Sequence, residues 1–133
     1  MDKIKNLSTL ALALFISMAS MTAEAKNDKT VAKARIAVEN ASPDDWKTYA
    51  KSAQMLIRKK SSMTEAKLWI EKSISIRETA LNLEIFGDYY VVNNVPKKAS
   101  EYYIKSMTKM REENPGCNVS EIQAKVVALS KMK

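Results

Sequence analysis

The residues of this chain able to do chemistry are few. They are a lone thiol, Cys117, and two side-by-side carboxylate pairs, Asp44-Asp45 and Glu112-Glu113. There is no histidine, so neither a Ser/His/Asp nor a Cys/His arrangement can be assembled. A thiol without an imidazole is activated only by a lysine or a helix terminus. Adjacent acids at helix ends are ordinarily caps or solvated groups. No Gly-rich phosphate loop, no Cys/His metal spacing and no oxygen-rich calcium loop is present in the sequence. The expectation is therefore a non-enzyme with no cofactor and no metal site. One thiol makes no internal bridge, which leaves a buried small residue, a free thiol or an intermolecular link. The first is the simplest reading.

Such a chain must act through its surfaces, and the elements that position them follow from punctuation and periodicity. Residues 1–25 stand apart. Lys3 and Lys5 precede the apolar run Leu7–Met21, and Ala23-Glu24-Ala25 supplies a small-x-small site. That pattern predicts a secretory signal peptide and an exported protein, periplasmic or secreted, with an uncleaved anchor as the alternative. No stable membrane insertion is expected after cleavage. The segment carries two bases and two acids, so the net charge stays at the +7 of the whole chain. Export argues against nucleic acid as a partner. The basic residues are spread along the chain, Arg58–Lys60 being the densest run, as on a solvated surface.

Beyond residue 25 the sequence reads as all helix. Helices are predicted over 29–41, 43–59, 63–77, 80–92, 96–113 and 119–131. Ser42 caps the second, with Pro43 at its first position and acids in its first turn. Ser62-Met63-Thr64-Glu65 fits a capping box. Pro115-Gly116 separates the last two helices. Connections this short fold the helices into antiparallel hairpins.

Two segments repeat. Ala66, Trp69, Ile70, Lys72-Ser73 and Ile74 align with Ala99, Tyr102, Tyr103, Lys105-Ser106 and Met107, at an offset of 33 residues. Upstream of the second copy, Leu83, Phe86, Gly87 and Tyr90 fall at the W-x2-L-G-x2-Y spacing. Over Trp46 to about Asn114 the chain resembles a tetratricopeptide repeat protein. The resemblance implies a short right-handed solenoid. Its parts would be an N-terminal cap over 26–42, hairpins over 43–79 and 80–115, and a C-terminal cap over 116–133. Val31, Ala34 and Val38 would cover one end, and Val119, Ile122, Val126 and Leu129 the other. Gly87 would let the partner helix approach at Ala99, with Tyr103 in the core and Trp69 and Tyr102 further out. In the first hairpin Trp46, Tyr49, Ala50 and Ala53 would take the four slots, followed by an extra helical turn before Ala66.

What the resemblance implies for function is a non-catalytic module binding a protein or peptide on the concave face built by the first helix of each hairpin. The positions carried over are Lys47, Lys51, Gln54, Met55, Leu81, Glu84, Asp88, Val91 and Val92. The Lys/Asn set with which one subset of the family clamps a terminal carboxylate has no match, so a C-terminal carboxylate ligand is not implied. The alternative is a small structural envelope protein that self-associates as a homo-oligomer, because two hairpins fall short of the ~3 repeats a solenoid usually needs. Adhesion to an anionic membrane surface is a third, remote option.

Overall fold

The computed structural model describes residues 28–132. The signal segment lies outside the described residues. Six helices follow one another: α1 (Lys29–Glu39), α2 (Trp46–Lys59), α3 (Met63–Ile76), α4 (Ala80–Val92), α5 (Pro96–Glu113) and α6 (Ser120–Ser130). Among the described residues there is no strand, and no helix is long and apolar enough to cross a membrane. Each helix packs on its neighbour in the chain, and α2 also meets α4.

The starts and stops have local causes. α4 opens on a reciprocal capping box, in which Thr79 accepts from the Asn82 N–H and Asn82 accepts from the Thr79 N–H. α5 opens with Pro96, whose missing N–H would have no partner there anyway. α2 departs from expectation. It begins at Trp46, three residues after Pro43, because Asp45 is its cap: one carboxylate oxygen takes the Thr48 N–H and the other the Thr48 hydroxyl. Ser42 to Asp45 form a turn closed by the Asp45 N–H on the Ser42 carbonyl. The capping box expected at Ser62 does not form. Ser62 is left-handed (φ 50°) and makes no side-chain cap. Glu65 instead reaches α1, where Arg35 donates to both its oxygens at 2.8–3.2 Å.

A repeat is written into the hydrogen bonds. α2 ends with Lys60 left-handed (φ 52°), its N–H on the Ile57 carbonyl and the Ser61 N–H on the Leu56 carbonyl. α4 ends identically 34 residues later, with Asn94 left-handed (φ 57°), its N–H on the Val91 carbonyl and the Val95 N–H on the Tyr90 carbonyl. Both are Schellman motifs. Across each hairpin a buried serine then ties the helices together. Ser73 on α3 donates to the Trp46 carbonyl at 2.8 Å, and Ser106 on α5 donates to the Ala80 carbonyl at 2.7 Å. The late turns of α3 and α5 thus lie against the starts of α2 and α4, so both pairs run antiparallel.

These bonds set the register. Counting 34 residues back from Gly87 reaches Ala53, not Ala50, and Leu56 stands where Tyr90 stands later. Ala53 and Leu56 are fully buried. The extra helical turn expected before Ala66 is therefore not needed. α5 does run a turn longer than α3, at 18 residues against 14.

One core cluster joins Val31 and Ala34 of α1 to Ala50, Ala53, Leu56, Ile57, Ala66, Ile70, Ile85 and Phe86. A second joins Ala99 and Tyr103 to Ile122 and Leu129. Val38, also expected to cover the first hairpin, is only half-buried. At Gly87 the expected close approach is present and its occupant is the Tyr103 ring: a Cβ on residue 87 would lie 2.5 Å from its Cδ1. Trp69 and Tyr102 are half-buried. Cys117, expected to be buried, is half-buried in the α5–α6 connection, its N–H on the Asn114 carbonyl. The chain turns there on polar Asn114 and Gly116, with no apolar partner to cover it.

Candidate binding groove

Along α2, Lys47, Lys51, Gln54 and Arg58 recur at spacings of four, three and four, which on a helix makes one stripe. Lys47, Lys51 and Arg58 are exposed and Gln54 half-buried. Among the described residues none of these three cations makes an ion pair. Lys47 lies 5.8 Å from the centre of its neighbour Trp46's ring. Beside the stripe, α2 and α4 bound a groove of about 250 Å³ lined by Gln54, Ile57, Arg58, Lys60, Asp88, Val91 and Val92. Four of the nine positions named from the sequence therefore come together: Gln54, Asp88, Val91 and Val92.

The other five lie elsewhere. Lys47 and Lys51 continue the stripe up α2, beyond the groove lining. Met55 is half-buried and Leu81 exposed, and neither lines the groove. Glu84 sits one turn before Asp88 on α4, and both face the last helix. Lys125 of α6 donates to Glu84 Oε1 at 2.8 Å and to Asp88 Oδ1 at 2.9 Å. The Tyr103 hydroxyl donates to the same Asp88 oxygen at 2.6 Å. Lys125 also lies 5.2 Å from the Tyr103 ring centre. Burial pulls the Lys125 pKa down, but its bonds to Glu84 and Asp88 leave it above the ordinary lysine value. Burial, and then the bond to Asp88, push the Tyr103 hydroxyl far above the ordinary tyrosine value. The two acids expected to offer charge to a partner are thus engaged within the chain.

The sequence reading missed Ile57, Arg58, Lys60 and Lys125. Arg58 could have been found by extending the stripe one more turn. Lys60 is reached only by a left-handed residue, and Lys125 only by a contact across 37 to 41 residues. Among the described residues no group of three or more His, Cys, Asp or Glu side chains is placed to hold a metal. No protein-family model, no curated protein and no solved structure matches the chain.

Proposed function

We propose that the protein is an exported, non-catalytic binding module of the tetratricopeptide-repeat type, which holds a peptide or protein segment across the α2/α4 face. The observation that carries this reading is the groove itself. Apolar Val91 and Val92 on α4 and Ile57 on α2 form a floor beside the Gln54 amide, with cations along the rim. A few polar groups converging on an apolar recess is the ordinary anatomy of a binding site. The 34-residue recurrence of helix ends and serine ties supports the repeat reading. A photo-reactive residue at position 91 should form a covalent adduct with another protein in cells. One at Leu68, exposed on α3, should not. Equal labelling at both sites, or at neither, would refute the assignment of this face.

Self-association is the second reading, favoured by one observation. The broadest groove, about 480 Å³, lies between α5 and α6 and exposes Ile104 and Met132 beside Val126 and Leu129. A sedimentation mass above that of one chain, reduced to it by Ile104→Lys, would support this reading over the first.

A further inference from the structure

The charge left at the α2/α4 groove, once internal pairs are removed, has one sign. Asp88 is the only acid in the lining, and its Oδ1 already receives both Lys125 and Tyr103. Arg58 and Lys60 remain, with Lys51 and Lys47 along the same helix, and no acid of the described chain pairs with any of the four. The backbone at Lys60 adds an independent observation. Its left-handed conformation is one that glycine adopts freely and a lysine does not. The matching helix end downstream carries asparagine, which tolerates that region. A residue held in a disfavoured conformation with its side chain on a groove points to a role for that side chain.

We infer that the groove takes an acidic polypeptide segment, its glutamate or aspartate side chains on the cations of α2 and one apolar side chain seated among Ile57, Val91 and Val92. The inference rests on the reading of this face as the binding face and adds the chemistry of the occupant. Complementary charge governs partner choice and encounter rate at such rims. A flat anionic membrane shares the charge but does not reach a floor recessed between two helices, so a chain with a protruding side chain is the better fit.

The test is a titration of 15N-labelled protein with three capped five-residue peptides. Each has a central leucine, flanked by glutamates, glutamines or lysines. The glutamate peptide should shift the amides of residues 54–60 and 88–92 and bind about tenfold more tightly than the glutamine peptide. That advantage should shrink near ~0.5 M salt and vanish in Arg58→Glu/Lys60→Glu. The peptide series on the unaltered protein does not depend on that variant folding. Equal binding of glutamate and glutamine peptides at these amides overturns the acidic occupant and leaves the binding face standing. No shift with any peptide overturns both. Shifts with phosphatidylglycerol vesicles but not with the glutamate peptide overturn the inference in favour of a membrane.

Discussion

The two central hairpins share a frame and fill it differently. α2/α3 and α4/α5 are tied by the same serine-to-carbonyl bond, and α2 and α4 end in the same left-handed turn. In the first hairpin Ala53, Leu56 and Ile70 fill the interior. In the second, Gly87 admits the whole Tyr103 ring, and Phe86 stacks on Tyr90 at 4.9 Å and meets Tyr102 at 4.5 Å. The outer faces diverge in parallel. α4 spends its two acids on Lys125, while α2 leaves its cations unpaired. Backbone bonds and one hydroxyl therefore suffice to hold the frame. The side chains are left to decide which face stays inside the molecule and which meets a partner.

The largest effect is expected where the second hairpin is tightest. Gly87→Leu forces a branched side chain into the Tyr103 ring, and overpacking of this kind costs about 1–3 kcal/mol. Ala53→Gly in the first hairpin loses only helix propensity and a methyl group, about 1 kcal/mol. In thermal melts Gly87→Leu should fall well below Ala53→Gly, and equal midpoints would break the distinction between the two crossings.

The serine ties sharpen it next. Ser106→Ala removes one bond, a loss of about 1 kcal/mol. Ser73→Ala removes that bond and also the acceptor for the fully buried Asn82 amide at 3.0 Å. Asn82 keeps the Arg77 carbonyl at 2.7 Å, so the added cost is about 1 kcal/mol more. Urea midpoints should rank wild type, Ser106→Ala, Ser73→Ala in falling order.

Alkaline pH should act on the second hairpin. The Tyr103 pKa is raised above the ordinary 10.0, so its contribution is fully present below pH 10. It is lost as pH rises further, because the unfolded tyrosine ionises first. Tyr103→Phe should flatten the decline in stability above pH 10, as read by chemical denaturation. An unchanged slope would remove Tyr103 from the account.

The smallest effect has the opposite sign. Lys60→Gly relieves the left-handed backbone and should stabilise by about 1 kcal/mol, more than Asn94→Gly. Melts of both variants check the order.

Helices 80–92 and 96–113 were legible to the residue, because Thr79, Pro96 and the Asn93-Asn94 pair mark their ends without competition. The start of α2 was not, since Ser42 and Asp45 are both good caps and only the side-chain bonds to Thr48 decide between them. Half-legible is the fair description of the groove. Gln54, Asp88, Val91 and Val92 follow from helical spacing, but the fate of Asp88 turns on Lys125, and no local pattern announces a contact that distant. Lys60 was invisible because a lysine does not announce a left-handed turn.

The central claim is that α4 uses its charges to hold the molecule together while α2 keeps its own for a partner. Thermal melts of Lys125→Met and Arg58→Met, measured side by side, test it most directly. Lys125→Met leaves Glu84 and Asp88 without their cation and should cost about 1 kcal/mol, a figure already reduced for the solvent exposure of the pair. That corresponds to a midpoint lower by roughly 4–8 °C in a domain of this size. Arg58→Met should stay within ~0.5 kcal/mol of wild type. Equal losses in the two variants, or a larger loss for Arg58→Met, would contradict the division of roles between the two helices.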